Sequence, residues 1–240
     1  MHVRTPLQSA LNGVQTSFYE KQFFDKFLWG GCFNMSYCMW DYGSELNVCY
    51  HDTEWGVPLH DDRGQFEFLS LEAMQCGLSW GLIIKKREIL RECFENFDYD
   101  KVAAYGEADI ERILNTEGMI RARRKIEAVI SNALTFQKVR EEFGTFSEYL
   151  WAFSGGKTIL YNKHADGWIP ASNGLSEKIS KDLKRRGFKF VGPVVIYSHL
   201  QACGMINDHD KNCPCYKTLT EKYPTVYKRR YLEKDVRFYG

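Results

Sequence analysis

The sequence predicts an all-α fold. Apolar residues recur at spacings of three and four over much of the chain, and the alternation typical of strands is scarce. With 240 residues, of which 44% are hydrophobic and 26% charged, the chain has a globular composition and is long enough for a sizeable core. No apolar run approaches the ~20 residues that span a bilayer, and no secretory signal is recognisable at the N-terminus. We therefore expect an intracellular protein whose cysteines are reduced.

The predicted elements follow from this periodicity in chain order. Residues 1–36 show no sustained period, and we interpret them as an N-terminal extension. A helical pattern over residues 66–94 is broken at Gly77, which predicts two helices. The same period predicts five more helices, over residues 102–114, 120–139, 146–153, 175–186 and 194–203. A loop that opens at Gly155 is expected to hold brief extended pieces around Ile159 and Trp168.

The segment 183–194 is typical of two helices joined by a tight turn. Gly192 followed by Pro193 opens the second helix, whose first amide groups have no partner within the helix. Those amides and the helix dipole favour an anion such as a DNA phosphate. Positive charge beside them comes from Lys184, Arg185, Arg186 and Lys189. The alternative interpretation is an ordinary helical hairpin with a solvated basic face.

Total charge gives no sign of a nucleic-acid partner, because 32 Lys and Arg residues oppose 31 Asp and Glu residues. The distribution is less even than the total. A basic cluster at the start of a predicted helix comprises Arg121, Arg123, Arg124 and Lys125, and the tail from Lys217 carries Lys222, Lys228, Arg229, Arg230, Lys234 and Arg237. A positive face is therefore compatible with a net charge of +1.

Cysteine and histidine residues lie close together near both ends of the chain. Cys38 precedes His51, and His209 precedes Cys213 by about one helical turn. Two cysteines and two histidines would form a tetrahedral zinc site, which is structural because no position remains for water. Buried thiols and a hydrogen-bonded surface histidine are the alternative. Two further cysteines stay open as ligands, Cys49 and Cys215.

Glu72 lies within the apolar helical pattern of residues 66–94. Its neighbours three and four positions away are mostly apolar, so we expect its side chain to point into an interior or a cleft. Buried carboxylates are uncommon unless they are paired or functional. The aromatic residues of this region are either core or a cage for a flat cationic ligand; they are Trp40, Tyr50, Trp55 and Trp80. The nearby acidic residues are interpreted as turn or cap residues; they are Asp52, Glu54, Asp61 and Asp62.

Taken together, these motifs resemble the DNA-3-methyladenine glycosylase I family. The matching segments are YCMW (37–40), YHDTEWGVP (50–58), LEAMQCGLSW (71–80), KKRE (85–88), GFKFVG (187–192) and QACGMINDH (201–209). The resemblance covers about residues 37–216, which we expect to be the glycosylase domain. It leaves residues 1–36 as an extension and residues 217–240 as a basic C-terminal tail.

The resemblance implies a helix-hairpin-helix DNA glycosylase fold in which one structural zinc ion joins the N- and C-terminal segments. The implied zinc ligands are Cys38, His51, His209 and Cys213. Glu72 matches the carboxylate that recognises the base, Tyr50 and Trp80 match the aromatics that stack on it, and Trp40 lines the same pocket. Gly77 and Leu78 are expected to approach the DNA, while Lys184, Arg185, Lys189 and Gly192 contact its backbone.

The implied reaction is the release of N3-methyladenine from alkylated double-stranded DNA after base flipping. No lysine matches a Schiff-base nucleophile, so we expect a monofunctional, monomeric glycosylase that uses water and has no membrane partner. Asp208 occupies the region where related glycosylases carry a catalytic aspartate, and its alternative role is a turn or cap. The rival function is a zinc-stapled hairpin module that binds damaged DNA without catalysis.

Overall fold

The computed structural model describes Cys38 and residues 44–228, and most of these residues are helical. The chain divides into two units, Met1–Met35 and Ser36–Gly240, and every described residue belongs to the second. Its α-helices are α1 (Glu45–Thr53), α2 (Asp62–Gln75), α3 (Trp80–Cys93), α4 (Tyr99–Ala103), α5 (Glu107–Asn115), α6 (Arg123–Phe143), α7 (Phe146–Trp151), α8 (Gly174–Arg186), α9 (Pro193–Ala202) and α10 (Pro214–Lys222). Short 3-10 turns lie at Glu95–Phe97, Ala152–Ser154 and His164–Asp166. Trp40 and the predicted basic residues from Arg229 onward lie outside the described residues.

The predicted helix pair over residues 66–94 is confirmed as α2 and α3. Gly77 separates them with a φ of +79°, a conformation that glycine adopts at little cost. Side-chain caps open both helices, since Asp61 accepts a hydrogen bond from Gly64 N and Ser79 accepts one from Leu82 N. The cap interpretation is therefore correct for Asp61.

The single helix predicted over residues 102–114 was wrong, because the chain bends between α4 and α5. Gly106 opens α5, and its amide donates to the Asp109 carboxylate at 3.1 Å. Val102 before the bend and Ile113 after it are both buried. The helical spacing of apolar residues therefore continues across the bend and hides it in the sequence. Two helices were not predicted at all, namely α1 and α10; the predicted tail boundary at residue 217 lies inside α10.

A small sheet corrects the all-α prediction. Strand β1 (Thr158–Tyr161) pairs in parallel with β2 (Thr225–Lys228), so that Thr158 lies opposite Thr225. The extended piece predicted around Ile159 is β1, whereas Trp168 is in no strand and is 60% exposed. Four residues are too few for alternation to stand out, and three of the four in β1 are buried.

The centre of the core is α2, which packs against α3, α6, α7 and α9. Its side chains Phe66, Leu71 and Met74 are fully buried, and Phe66 meets the ring of Phe136 with centroids 5.3 Å apart. Residues 68–74 of α2 are all buried, so Glu72 faces the interior of the protein or a cleft. Among the described residues, no helix combines the length and apolar character needed to cross a bilayer.

Candidate active site and metal centre

Helices α1, α2 and α3 bring Tyr50, Glu72 and Trp80 together, and we refer to this group as the pocket. Glu72 is 4% exposed on α2, Tyr50 is buried on α1, and Trp80 is the first residue of α3. The Tyr50 and Trp80 ring centroids lie 5.3 Å apart with the planes tilted by 51°. The structure thus brings three of the predicted base-binding residues together, on elements separated along the chain.

The Glu72 carboxylate has no hydrogen-bond partner among the described residues. Burial raises its pKa to about 8, since a charged form would lose its hydration there. The pKa of Tyr50 is also raised well above its usual value, first by burial and then by the charge of Glu72. A cationic ligand would favour the charged carboxylate, and this pocket is therefore suited to a flat, positively charged group.

An ion-pair network centred on Arg87 connects the three helices of the pocket. Arg87 on α3 donates to both oxygens of Glu54, just after α1, and to Glu67 on α2. Arg91 also donates to Glu67, at 2.9 Å. Arg87 is only 8% exposed, so these carboxylates offset the cost of burying its charge. Sequence reasoning missed this role, although Arg87 lies in the KKRE segment.

Lys125 of α6 holds the turn between α2 and α3 through hydrogen bonds to its backbone. Its ammonium donates to the carbonyl oxygens of Met74 and Cys76 at 2.7 and 2.6 Å. Gly77 is exposed at the apex, and Leu78 is half-buried against the core. These two predicted DNA-facing residues therefore sit on a turn of fixed shape beside the pocket.

Two of the four residues in the basic cluster at 121–125 are engaged by other groups, whereas Arg121 and Arg124 are exposed and form no ion pair among the described residues. Lys125 is engaged with the backbone of the α2–α3 turn. Arg123 forms ion pairs with Glu107, Glu111 and Glu127. Acidic partners therefore offset the charge of Arg123, while Lys125 keeps its charge and is held by carbonyl groups of the turn.

Helices α8 and α9 form the predicted helix-turn-helix. Gly187 ends α8 with a φ of +109°, and Gly192 is the N-cap of α9 with Pro193 in its first turn. No side chain caps α9, which leaves its first amides available to an anion. Asn132 of α6 holds the turn, accepting from Lys189 N at 2.7 Å and donating to Lys189 O at 3.1 Å. No pattern in the sequence pointed to Asn132.

The hairpin residues differ in how their charges are used. Lys184 and Lys189 are exposed, and neither forms an ion pair within the described part of the chain. Arg185 pairs with Asp182, and Arg186 pairs with both Asp182 and Glu142. The free positive charge beside the start of α9 therefore comes mainly from the two lysines.

Cys38, His51, His209 and Cys213 come together as a fully buried group that could hold a metal ion. All four ligand atoms lie within 4.8 Å of one another. The His209 Nδ1 atom is 3.1 Å from His51 Nε2, 3.5 Å from Cys213 Sγ and 3.7 Å from Cys38 Sγ. These residues start at opposite ends of the described chain, and the group fastens those ends together.

Hydrogen bonds behind the group orient both histidine rings. The Asp52 carboxylate can only accept, so His51 Nδ1 donates to it at 2.7 Å and Nε2 presents its lone pair to the group. His209 Nε2 likewise donates to the Trp55 carbonyl oxygen at 3.1 Å, which leaves Nδ1 as a ligand. A Cβ on Gly56 would come within 2.9 Å of that Nε2 atom, and the residue also has a positive φ.

The thiol chemistry of the group favours a metal ligand. Hydrogen bonds from Cys215 and Cys38, followed by those from the two histidines, hold the pKa of Cys213 far below its usual range. A thiolate is the form that binds metal. Of the alternative ligands, Cys215 forms a smaller and less buried group with His51 and Asp52, and Cys49 belongs to neither group.

Asp208 is enclosed by side chains on the far side of His209. His164 Nδ1 lies 2.5 Å from one of its oxygens, while Tyr197 and Gln201 donate to the other at 2.7 and 2.8 Å. With 2% of its surface exposed, Asp208 has little access to a substrate. Its contacts are those of a buried anchor that joins α9 to the segment before the metal-binding group.

The chain is similar in sequence and in fold to several known proteins. Residues 40–216 match the family model described as methyladenine glycosylase. The chain is 43% identical to DNA-3-methyladenine glycosylase 1 of Escherichia coli over 76% of its own length and 97% of the relative, and 37% identical to DNA-3-methyladenine glycosylase of Haemophilus influenzae over 74% and 96%. A solved structure of 3-methyladenine DNA glycosylase I from Staphylococcus aureus, described as the structural basis of 3-methyladenine recognition, superposes with a TM-score of 0.69 at 38% identity, covering 73% of this chain and 94% of that one.

Proposed function

The chain belongs to the methyladenine glycosylase family, and we propose that it binds and releases alkylated adenine in the pocket around Glu72. Its activity is hydrolysis of the N-glycosidic bond of N3-methyladenine in alkylated DNA, the step that starts base excision repair. The single observation that carries the site assignment is a buried carboxylate without a protein partner, beside two aromatic rings. The geometry supports Glu72, Tyr50 and Trp80 as the residues that contact the base.

The chemistry of the lesion explains why such a pocket is sufficient. A base methylated at N3 is already cationic, so it leaves without full protonation by an acid. Water adds to the sugar carbon C1′ while the bond to N9 breaks, and the electron pair of that bond neutralises the departing base. The principal task of the protein is therefore selection of the cationic base.

The protein selects the cationic base through two interactions that stabilise neutral adenine less. The Glu72 carboxylate accepts hydrogen bonds from the base edge and favours its positive charge. Stacking on Tyr50 and Trp80 adds a cation–π attraction that reaches ~2 kcal/mol in a desolvated site. Since flipping costs a few kcal/mol and damaged bases cost least, these interactions are of the size needed to retain the lesion.

We assign the DNA backbone to the α8–α9 hairpin and the α2–α3 turn. The uncapped start of α9 at Gly192 would bind a phosphate, with Lys184, Lys189 and Arg185 nearby. Gly77 and Leu78 would occupy space near the vacated base position. We expect the protein to act on double-stranded DNA as a monomer. We expect this activity inside the cell, where the DNA lies.

We assign one structural zinc ion to Cys38, His51, His209 and Cys213. Tetrahedral zinc with bonds of about 2.0 and 2.3 Å requires N–N separations of about 3.3 Å and S–N separations of about 3.6 Å. The separations here are 3.1 Å for N–N and 3.5 to 3.8 Å for S–N. Four protein ligands leave no position for water, so such an ion would stabilise the fold and take no part in the reaction.

The decisive experiment measures base release from methylated DNA by chromatography. Wild-type protein should release N3-methyladenine, and Glu72→Gln should release it at least ten-fold more slowly. Glu117→Gln, an exposed glutamate on another surface, serves as the control and should match the wild type. If none of the three proteins releases the base while all bind the DNA, the non-catalytic binding module replaces the enzyme.

A further inference from the structure

We propose that Asn47 is a further specificity residue of the pocket and selects alkylated adenine over alkylated guanine. This inference rests on the proposed function, because it concerns the same pocket. Asn47 lies on α1, three positions before Tyr50, so the two side chains share one face of that helix. Neither the helical periodicity of the sequence nor any of its motifs pointed to this residue.

The position of Asn47 places its amide beside the start of α3. A Cβ on Gly81 would lie 3.4 Å from Asn47 Nδ2, and Gly81 directly follows the stacking residue Trp80. Helices α1 and α3 pack against each other along this contact. The Asn47 amide therefore lies against Gly81, the residue after Trp80, and shares its helix face with Tyr50.

The hydrogen bonding of Asn47 is incomplete in a way that indicates a ligand. Asn47 is 8% exposed, and its Oδ1 atom is enclosed with no hydrogen-bond partner among the described residues. The Trp80 Nε1 atom is also buried and has no hydrogen-bond partner among the described residues. Buried polar atoms are nearly always paired, so an unpaired acceptor on α1 and an unpaired donor on α3, the helices that carry Tyr50 and Trp80, indicate a ligand with a polar edge.

The amide of asparagine matches one edge of adenine. Adenine offers an amino group at position 6 as donor and N7 as acceptor, to which an asparagine binds with both its atoms. Guanine offers two acceptors, O6 and N7, on that edge, so Oδ1 would face another acceptor. Asn47 Oδ1 would accept one amino hydrogen of the adenine, and Glu72 remains available for the other. The pair thereby reads an amino group that guanine lacks at this position.

The test compares two lesions released from the same methylated DNA. In Asn47→Leu, which keeps the size of the side chain without its polar atoms, release of N3-methyladenine should fall about ten-fold or more, whereas release of 3-methylguanine should change less than about three-fold. The ratio of the two rates should therefore fall. The control Asn115→Ala, an exposed asparagine on α5, should keep the wild-type ratio.

Two outcomes would overturn the proposal. Equal loss for both lesions would assign Asn47 a structural role, and an unchanged ratio with an active variant would remove it from recognition. Thermal melting checks folding, and Asn47→Leu should melt no lower than the wild type because it removes an unpaired buried acceptor. If the wild type itself releases no methylated base, the proposed function fails, which is a different result from failure of this inference.

Discussion

Arg87 donates one hydrogen bond to each oxygen of the Glu54 carboxylate, both at 2.7 Å. Together with the bond to Glu67, this pair fixes α1 and α2 against α3, and these three helices carry Tyr50, Glu72 and Trp80. The arrangement of Tyr50, Glu72 and Trp80 therefore depends on this charge cluster.

Substituting Arg87 should destabilise the protein strongly. Arg87→Ala leaves Glu67, whose side chain is 13% exposed, without its main partner, and breaking a buried pair costs about 3–5 kcal/mol. Urea unfolding measures the loss. Arg91→Ala removes a more exposed partner of Glu67 and should cost about 1 kcal/mol. Equal stabilities of the two variants would show that the network does not hold the helices.

The stability of the protein should depend on pH through Glu72. Its pKa is about 8 in the folded chain against an ordinary value of 4.5, so the unfolded chain releases this proton at lower pH. The stabilisation from the protonated form is complete below pH 4.5 and is lost as pH rises towards 8. At about 1.4 kcal/mol per pKa unit, the rise from 4.5 to about 8 corresponds to a loss of about 5 kcal/mol.

Glu72→Gln should remove that pH dependence. The variant should match the wild type near pH 4.5 and exceed it near pH 8, as measured by urea unfolding across this range. Glu117→Gln should retain the wild-type slope, since Glu117 is exposed. A wild-type slope persisting in Glu72→Gln would place the titrating group elsewhere.

Base release should also depend on pH, in the opposite direction. A cationic base binds the charged carboxylate, so at pH values below about 8 binding requires Glu72 to lose a proton. Release under subsaturating conditions should rise up to ten-fold per pH unit and level off near pH 8. Glu72→Gln should give a slow and flatter profile. A flat wild-type profile between pH 6 and 8 would contradict this role.

Removing one metal ligand should release the metal and lower the melting temperature. Cys213→Ser replaces a thiolate with a weak ligand, and the ends of the described chain lose their common attachment. Elemental analysis should fall from about one equivalent of zinc to well below half, and melting should drop by at least ~5 °C. Cys49→Ser, outside the group, should retain both values. Untreated wild-type protein without zinc would refute the assignment.

Each of the two hairpin lysines, Lys184 and Lys189, should neutralise one DNA phosphate. Lys184→Ala and Lys189→Ala should each reduce the slope of log affinity against log salt concentration by about 0.9, measured with undamaged double-stranded DNA. Lys157→Ala, an exposed lysine before β1, is the control. Slopes unchanged in both hairpin variants would remove this face from the DNA contact.

Local patterns predicted most of the helices and the buried position of Glu72, since both depend on neighbours three and four residues away. The strands β1 and β2 could not be predicted, because each is four residues long and finds its partner far along the chain. Helix α1 was missed because its nine residues show no clear apolar stripe, and Asn47 was missed with it.

Charge distribution was the least predictable property. Arg186 resembles Lys184 in the sequence, yet it is neutralised by Glu142, 44 positions away on another helix. The group of four residues that could hold a metal was easier to predict, since each half of it lies in a short segment. What the sequence could not show is how the halves meet across 171 positions, from Cys38 to His209.

That separation determines when the group is complete during synthesis. Cys38 and His51 leave the ribosome early, and the group of four stays incomplete until His209 and Cys213 follow after nearly all of the helical core. A chain that stops short of residue 213 can fold local helices but cannot assemble the full ligand set. The group can therefore form only after residue 213 has been translated. A product truncated before that residue lacks the contact between the two ends of the domain.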